Sequence, residues 1–336
     1  MRPFVYERVD SAESALTAFA TVPIDADRQY LAGGTTLVDL MKLDVMRPQA
    51  VIDINALDRT TAGRVDAGAG GLRLGAMTRM AQVAEHPAVT RDYPVIAQSL
   101  KLAASQQLRN MASLGGNVLQ RTRCPYFRDV SYAACNKRNP GSGCTALDSI
   151  HRDHAVLGVS DACIALYPGD FAQALMALDA LVELAGPQGA RRISFAELHR
   201  MPGDTPQLEN TLLPGEVITA FLVPAAPWTR RSLYLKVRQR ESYEFALASA
   251  AVALDLVDDR MVRGARVALG GVATVPWRAQ DAEAALLGKT LDEQAASAAA
   301  DAAFANARPR MDNTYKVALG KRTLVRALLQ AAAMET

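Results

Sequence analysis

The chain has 336 residues, 50% apolar and 21% charged, with a formal net charge of +2. That length supports two or three domains with their own cores, and the near-balanced charge gives no reason to expect nucleic acid or an anionic membrane as partner. No window approaches the roughly 20 apolar residues of a spanning helix, and the opening Met1-Arg2-Pro3-Phe4-Val5-Tyr6-Glu7 lacks the apolar stretch of a secretory signal, so a reducing compartment during folding is expected.

Residues 11–19 read as a short helix with Asp10 or Ser11 as its cap. Tyr30-Leu31-Ala32 runs as a strand into Gly33-Gly34-Thr35-Thr36. A helical pattern follows (Leu37, Leu40, Met41, Val45) and stops near Pro48. Residues 50–54 form a short apolar strand, Gly68-Ala69-Gly70-Gly71 a strand-to-strand turn, and Leu72-Arg73-Leu74 the next strand. Helices are predicted from about 77 to 85 and, as one element, over 94–107, with Val95, Ile96, Leu100 and Leu102 on its apolar side. Residues 119–168 change character, with many basic residues and the loop chemistry of Asn139-Pro140-Gly141-Ser142-Gly143. Residues 170–184 read as helix then strand, and 217–223 as a strand ended by Pro224. Pro224-Ala225-Ala226-Pro227 marks the expected domain boundary. Three strand-like runs follow (232–239, 246–257, 262–269), then helices over 280–287, 291–306 and 314–333.

Two glycine turns stand out. Gly33-Gly34-Thr35-Thr36 lies between a strand and a helix, where consecutive N–H groups and threonine hydroxyls suit a phosphate; Gly115-Gly116-Asn117, after Ser113, suits the same task from another side. Neither is a GxGxxG or Walker loop, and each taken singly also reads as a tight turn. All four cysteines, Cys124, Cys135, Cys144 and Cys163, fall in the loop-rich stretch with spacing C-x10-C-x8-C-x18-C. Structural zinc favours close pairs, which are missing. A [4Fe–4S] cluster takes ligands from more widely spaced segments, so it ranks above zinc, with free structural thiols also open. His151 and His154 flank the cysteines and read as solvated loop residues; His86 and His199 show no partner. No Ser/His/Asp, HExxH or paired-carboxylate pattern is present.

Three segments, 31–37 (Leu-Ala-Gly-Gly-Thr-Thr-Leu), 74–78 (Leu-Gly-Ala-Met-Thr) and 108–117 (Leu-Arg-Asn-Met-Ala-Ser-Leu-Gly-Gly-Asn), together resemble the FAD-binding medium subunit of the molybdenum hydroxylases. That family includes xanthine dehydrogenase, aldehyde oxidase and carbon monoxide dehydrogenase. Leu233-Tyr234-Leu235-Lys236 and Thr314-Tyr315-Lys316 resemble its C-terminal domain. The resemblance covers nearly the whole chain. It implies an α+β fold: a two-part FAD domain of the p-cresol methylhydroxylase type over 1–224 (subdomains 1–58 and 59–224), then a small α+β domain of the carbon monoxide dehydrogenase flavoprotein C-terminal type over 228–336. Ala32, Gly33, Gly34, Thr35 and Thr36, flanked by Leu31 and Leu37, would wrap the FAD pyrophosphate. Ser113, Gly116 and Asn117 would line the cofactor, Asp170 would bond the ribityl chain, and Ile218 and Lys236 would lie near the isoalloxazine.

One departure from the family pattern is large. Fifty-two residues separate Asn117 from Asp170, against about a dozen in most relatives, and all four cysteines fall in this 119–168 insert. A subset of the family carries such an insert with a [4Fe–4S] cluster, which would assign Cys124, Cys135, Cys144 and Cys163 as its ligands. The wording around Cys124 and over 135–144 looks most like the aldehyde oxidoreductase branch. Glu244 stands where many relatives have aspartate. The implied role is electron transfer. A large partner with a molybdenum cofactor would oxidise an aldehyde, and a small [2Fe–2S] partner would relay electrons to FAD here and then to an external acceptor, with no substrate acid or base on this chain. Export to the periplasm on a partner's signal is expected, with cytoplasmic residence as the alternative. The competing readings are a CoA-thioester reductase or xanthine dehydrogenase-type subunit, a self-contained reductase like UDP-enolpyruvylglucosamine reductase, and a zinc-clipped interaction protein without flavin.

Overall fold

The computed structural model describes residues 1–23 and 26–335; Thr336, the end of the expected second domain, lies outside them. The first layer is a parallel three-stranded sheet in the order β1-β3-β2, with β1 Val5–Arg8, β2 Arg28–Leu31 and β3 Ala50–Asp53. Helix α1 (Ala12–Thr21) is fixed at its start by a reciprocal cap between Ser11 and Ser14, and buries Ala15 and Ala18 against Ile52 and Ile54. Helix α2 (Leu37–Lys42) is much shorter than its apolar pattern predicts: the chain turns at Asp44, which takes a positive φ of 58°.

The second layer is an antiparallel five-stranded sheet, β4-β5-β8-β6-β7, built from β4 Val65–Gly68, β5 Gly71–Gly75, β6 Leu181–Gly186, β7 Gly189–Ser194 and β8 Val217–Pro224. The predicted turn at 68–71 is present. Six helices follow β5: α3 Met80–Glu85, α4 Pro87–Asp92, α5 Pro94–Lys101, α6 Gln106–Met111, α7 Leu114–Val118 and α8 Pro125–Arg128, with α9 Phe171–Ala177 after the insert. The single helix expected over 94–107 is thus two. Ala104 takes φ 47°, and Ser105 caps a new start by accepting from the N–H of Leu108.

The third layer is an antiparallel sheet, β12-β11-β10-β9, from β9 Ser232–Val237, β10 Ala248–Val257, β11 Met261–Gly270 and β12 Trp277–Arg278. Helices α10 Gln280–Leu286, α11 Glu293–Ala303 and α12 Tyr315–Ala332 cover one face. Alternation along β10 assigns its two sides. Ala250, Val252 and Leu254 join the core under these helices, while the small Ala251 and Ala253 join the core of the first 224 residues. Alanine on that side lets α5 and α9 approach β9, β10 and β11 closely, so the two halves share one buried seam.

Candidate functional site

A cleft of about 550 Å³ opens between the first two layers. Ala32, Gly33, Gly34, Thr35, Thr36 and Leu37 form one wall, Ser113 and Gly116 a second, and 207–210 with 212–218, ending at Ile218, a third. The two glycine turns are bolted together by backbone proximity. A Cβ at Gly33 would stand 2.1 Å from the carbonyl oxygen of Met111, so glycine is required there by contact. Gly34 is required by conformation, with φ 72°. Arg79 holds the arrangement from behind. It donates to Met111 O at 2.8 Å and to Asn55 Oδ1 at 3.0 Å, while Asn55 Nδ2 donates to Ala32 O at 2.8 Å. Among the described residues, the N–H groups of residues 33–36 meet no protein acceptor. Consecutive free donors of this kind form an anion nest, which fits a pyrophosphate. Ser113 caps α7 by accepting from Gly116 N at 3.2 Å.

The remaining predicted residues separate into two places. Leu31 ends β2 behind the first turn, and Asn117 sits in α7 with its Oδ1 buried and unpartnered. Neither lines the cleft. Asp170 and Lys236 lie away from the cleft lining, at the seam, and bind each other: Lys236 Nζ donates to Asp170 Oδ2 at 2.8 Å and Tyr234 OH to Oδ1 at 2.5 Å. Their side chains are 5% and 1% exposed. Burial lifts the Asp170 carboxyl above its ordinary value, while Lys236 and Tyr234 pull it down. Cleft residues that the sequence reading missed include Arg28, Tyr30, Arg121 and Glu209. Tyr30 OH reaches Gly215 O at 3.0 Å and so joins the first layer to the third wall.

The four cysteines line one small enclosed cavity, and none of them forms a disulfide. Cys124 precedes α8; Cys135 and Cys144 face each other across a narrow loop closed by two bonds, Asn136 N to Gly143 O at 2.8 Å and Gly143 N to Asn136 Oδ1 at 2.9 Å. Arg138 staples that loop to α8 through the carbonyls of Tyr126 and Phe127. One backbone N–H donates to a sulfur, that of Ala165 to Cys163 Sγ at 3.4 Å, while the N–H groups of Phe127 and Tyr126 near Cys124 and of Ala146, Ile164 and Leu147 near Cys144 favour the thiolate from a greater distance. Such donors stabilise thiolate, whereas burial pushes the uncomplexed Cys124 thiol up to about 11. The Cys163 thiol shares its proton with Cys144, which lowers the latter. Among the described residues, no three of these groups close on a single ion-sized point. His151 and His154, expected to be solvated, are 7% and 4% exposed, and His154 Nε2 lies 3.2 Å from Cys124 Sγ. His199 likewise has a partner, the carbonyl of Val118 at 3.1 Å. Glu244 accepts from the N–H groups of Gln239 and Arg240 and shapes that loop.

A glycine-walled cleft between two unlike sheets, followed by a third sheet backed by helices, matches two family models in sequence. The FAD binding domain in molybdopterin dehydrogenase spans residues 2–226, and the CO dehydrogenase flavoprotein C-terminal domain spans 233–331. The chain belongs to the FAD-binding medium-chain family of the molybdenum hydroxylases and is an oxidoreductase subunit. It is 48% identical over 335 residues to the aldehyde oxidoreductase FAD-binding subunit PaoB of Escherichia coli (strain K12), covering 99% of each chain. Among solved structures, it aligns with a carbon monoxide dehydrogenase from Hydrogenophaga pseudoflava that lacks the Mo-pyranopterin moiety, with TM-score 0.75 and 28% identity over 99% of this chain and 98% of that one. The reconstituted CO dehydrogenase from Oligotropha carboxidovorans shares the fold, with TM-score 0.77 at 23% identity, covering 99% of each chain.

Proposed function

We propose that this chain is the FAD- and [4Fe–4S]-carrying electron-transfer subunit of a molybdenum-dependent aldehyde oxidoreductase. The observation that carries the reading is the convergence of Cys124, Cys135, Cys144 and Cys163 on one cavity beside the flavin cleft, with the Ala165 N–H donating to Cys163 Sγ. Likeness to the aldehyde oxidoreductase subunit supports the substrate class. Four thiols around one cavity supply the number of ligands that a four-cornered iron–sulfur cluster takes. When bound, FAD and the cluster supply the stepwise exchange of electrons between partner and acceptor.

The chain's own residues bind and shape. Residues 33–36 present backbone donors to the pyrophosphate, in a turn whose shape is set by the close contact of Gly33 with Met111 O and the positive φ of Gly34. Ser113 keeps the second turn in register, Ile218 supplies an apolar face, and the buried Asn117 Oδ1 is an acceptor within the same turn. Asp170 and Lys236 fix the seam behind the cleft. Aldehyde chemistry belongs in this reading to a large molybdenum-cofactor subunit, reached through a small [2Fe–2S] subunit, and electrons leave to an external acceptor. Transport to the periplasm would ride on a partner's export signal.

Co-expression with both partners, purification, and metal and flavin analysis test the reading. The expected result is FAD plus an iron and sulfide content above that of the [2Fe–2S] subunit, lost on Cys124→Ser. Zinc in place of iron, or a colourless chain, would sink it. Cell fractionation with and without the partner's signal tests the compartment.

A further inference from the structure

The flavin cleft and the cysteine cavity share one wall, and the wall is a three-member charge network. Arg121 and Glu209 line the cleft, while Lys137 lines the cavity. Glu209 accepts from Arg121 Nε and from Lys137 Nζ, each at 2.8 Å. Side chains of all three are at most 22% exposed. The Arg121 guanidinium also lies 4.6 Å from the centre of the Phe127 ring, which packs with Cys135 and Cys124. Burial pushes the Glu209 carboxyl up, but the two cations outweigh it and hold the group below the ordinary carboxylate range. The loop carrying Glu209 is independently fixed by backbone bonds, Arg200 N to Glu209 O at 3.0 Å and Thr211 N to Leu198 O at 2.9 Å. The carboxylate is therefore not needed to shape its own loop. One negative charge serves two cations, one at each redox site.

We propose that Glu209 is a shared counter-charge that sets the reduction potentials of the flavin and the cysteine-bound cluster together, an inference that rests on the cofactor reading above. Reduction of either centre adds negative charge, which a nearby cation favours and a nearby carboxylate opposes. In a wall with little water such fixed charges are weakly screened. Glu209 acts through Arg121 and Lys137, so it is a tuning residue and takes no part in the chemistry. Glu209→Gln keeps the shape and raises the wall's charge from +1 to +2. Both midpoints should then rise. Lys137→Gln should lower both, the cluster's more; Arg121→Gln should lower both, the flavin's more.

The test uses the assembled complex. Iron and flavin are first quantified in wild type and variants. Midpoints are then titrated, with flavin followed by absorbance and the cluster by electron paramagnetic resonance at low temperature. Paired shifts of the stated signs, reverted toward wild type by Glu209→Asp, support the proposal. Full cofactor content with neither midpoint moved, or with only one moved in all three variants, overturns it and leaves the cofactor reading intact. If Glu209→Gln loses a cofactor, the two cation variants decide by the ordering of their shifts, and equal shifts overturn the proposal. Absence of iron from the wild-type complex overturns the cofactor reading and this inference with it.

Discussion

Gly33 and Gly34 are adjacent, yet the structure assigns their glycine requirement to different causes, and alanine substitutions separate them. At Gly33 the added Cβ would meet Met111 O at 2.1 Å, its carbonyl carbon at 2.7 Å and Ala112 Cα at 3.0 Å. An ordinary carbon–oxygen contact needs about 3.3 Å, so one turn must retreat by about 1 Å. The obstructing oxygen is backbone, held by Arg79 at 2.8 Å, and Met111 leads directly into the Ser113 cap. Retreat therefore spreads the cleft walls. Overpacking of this kind costs about 2–3 kcal/mol, which expressed in cofactor binding is about 30- to 150-fold weaker affinity. At Gly34 the added Cβ meets only the Val38 side chain at 3.2 Å and the Leu31 side chain at 3.4 Å; its cost comes from φ 72° and is about 1–2 kcal/mol. Gly70, with nothing within 4 Å, is the control and should be neutral or slightly stabilised. The assay is FAD titration of the apo complex by flavin fluorescence, with circular dichroism reporting the fold. Gly33→Ala binding FAD within about twofold of wild type, or binding better than Gly34→Ala, would refute the reasoning.

Three further outcomes follow from the geometry. Asp170→Asn or Lys236→Met alone should cost about 3–5 kcal/mol in urea unfolding, because each leaves a buried charge unpaired; the double variant should recover much of it. Single variants within about 1 kcal/mol of wild type would discount the pair. Burial lowers His199 to about 4 from 6.5. Between those values the unfolded chain binds a proton that the native state does not, so stability falls as pH drops through that window, by up to about 3 kcal/mol. His199→Phe should flatten the slope, and an unchanged pH profile would count against this. Gly320→Ala places a Cβ 2.3 Å from the Phe304 ring and should destabilise the contact of α11 with α12 by about 1–3 kcal/mol without changing flavin content. Hydrogen exchange localised to those helices checks it.

Elements with a strong local signal were legible in the sequence: the turn at 68–71, the three C-terminal strands and α12 all stand close to where periodicity sets them. Strand β1 was not, since all four of its residues are exposed and carry no alternation. The break between α5 and α6 hides inside a continuous apolar pattern, because a positive φ at Ala104 has no residue-type signature. The first glycine turn presents the free backbone donors its flanking elements suggested, whereas the second does not: the N–H groups of Gly115, Gly116 and Asn117 are spent on Ala76 O, Ser113 Oγ and Ser113 O. The partners of Asp170 were not legible, because Tyr234 and Lys236 arrive from a strand more than sixty residues away, across the seam. The burial of His151 and His154, which read as solvated, was hidden for the same reason: their loop is polar in sequence and enclosed only by tertiary packing. Glu209 had no signal at all, being one carboxylate in an irregular loop.

The insert does more than hold thiols. Val156 N donates to Val272 O at 2.8 Å and Tyr167 N to Ala273 O at 3.1 Å, Arg308 N returns to Val156 O at 2.8 Å, and Tyr167 OH reaches back to Val118 O at 2.9 Å. The segment is tied on one side to α7 and on the other to the third sheet, more than a hundred residues later in the chain. Contacts of that sequence separation carry the closure entropy of a long intervening chain and cannot form before the C-terminal half exists. The cysteine loop is therefore clamped on both sides only after the C-terminal half has been made and docked. On the cofactor reading proposed above, that order leaves the thiols open to an incoming cluster before the segment is clamped.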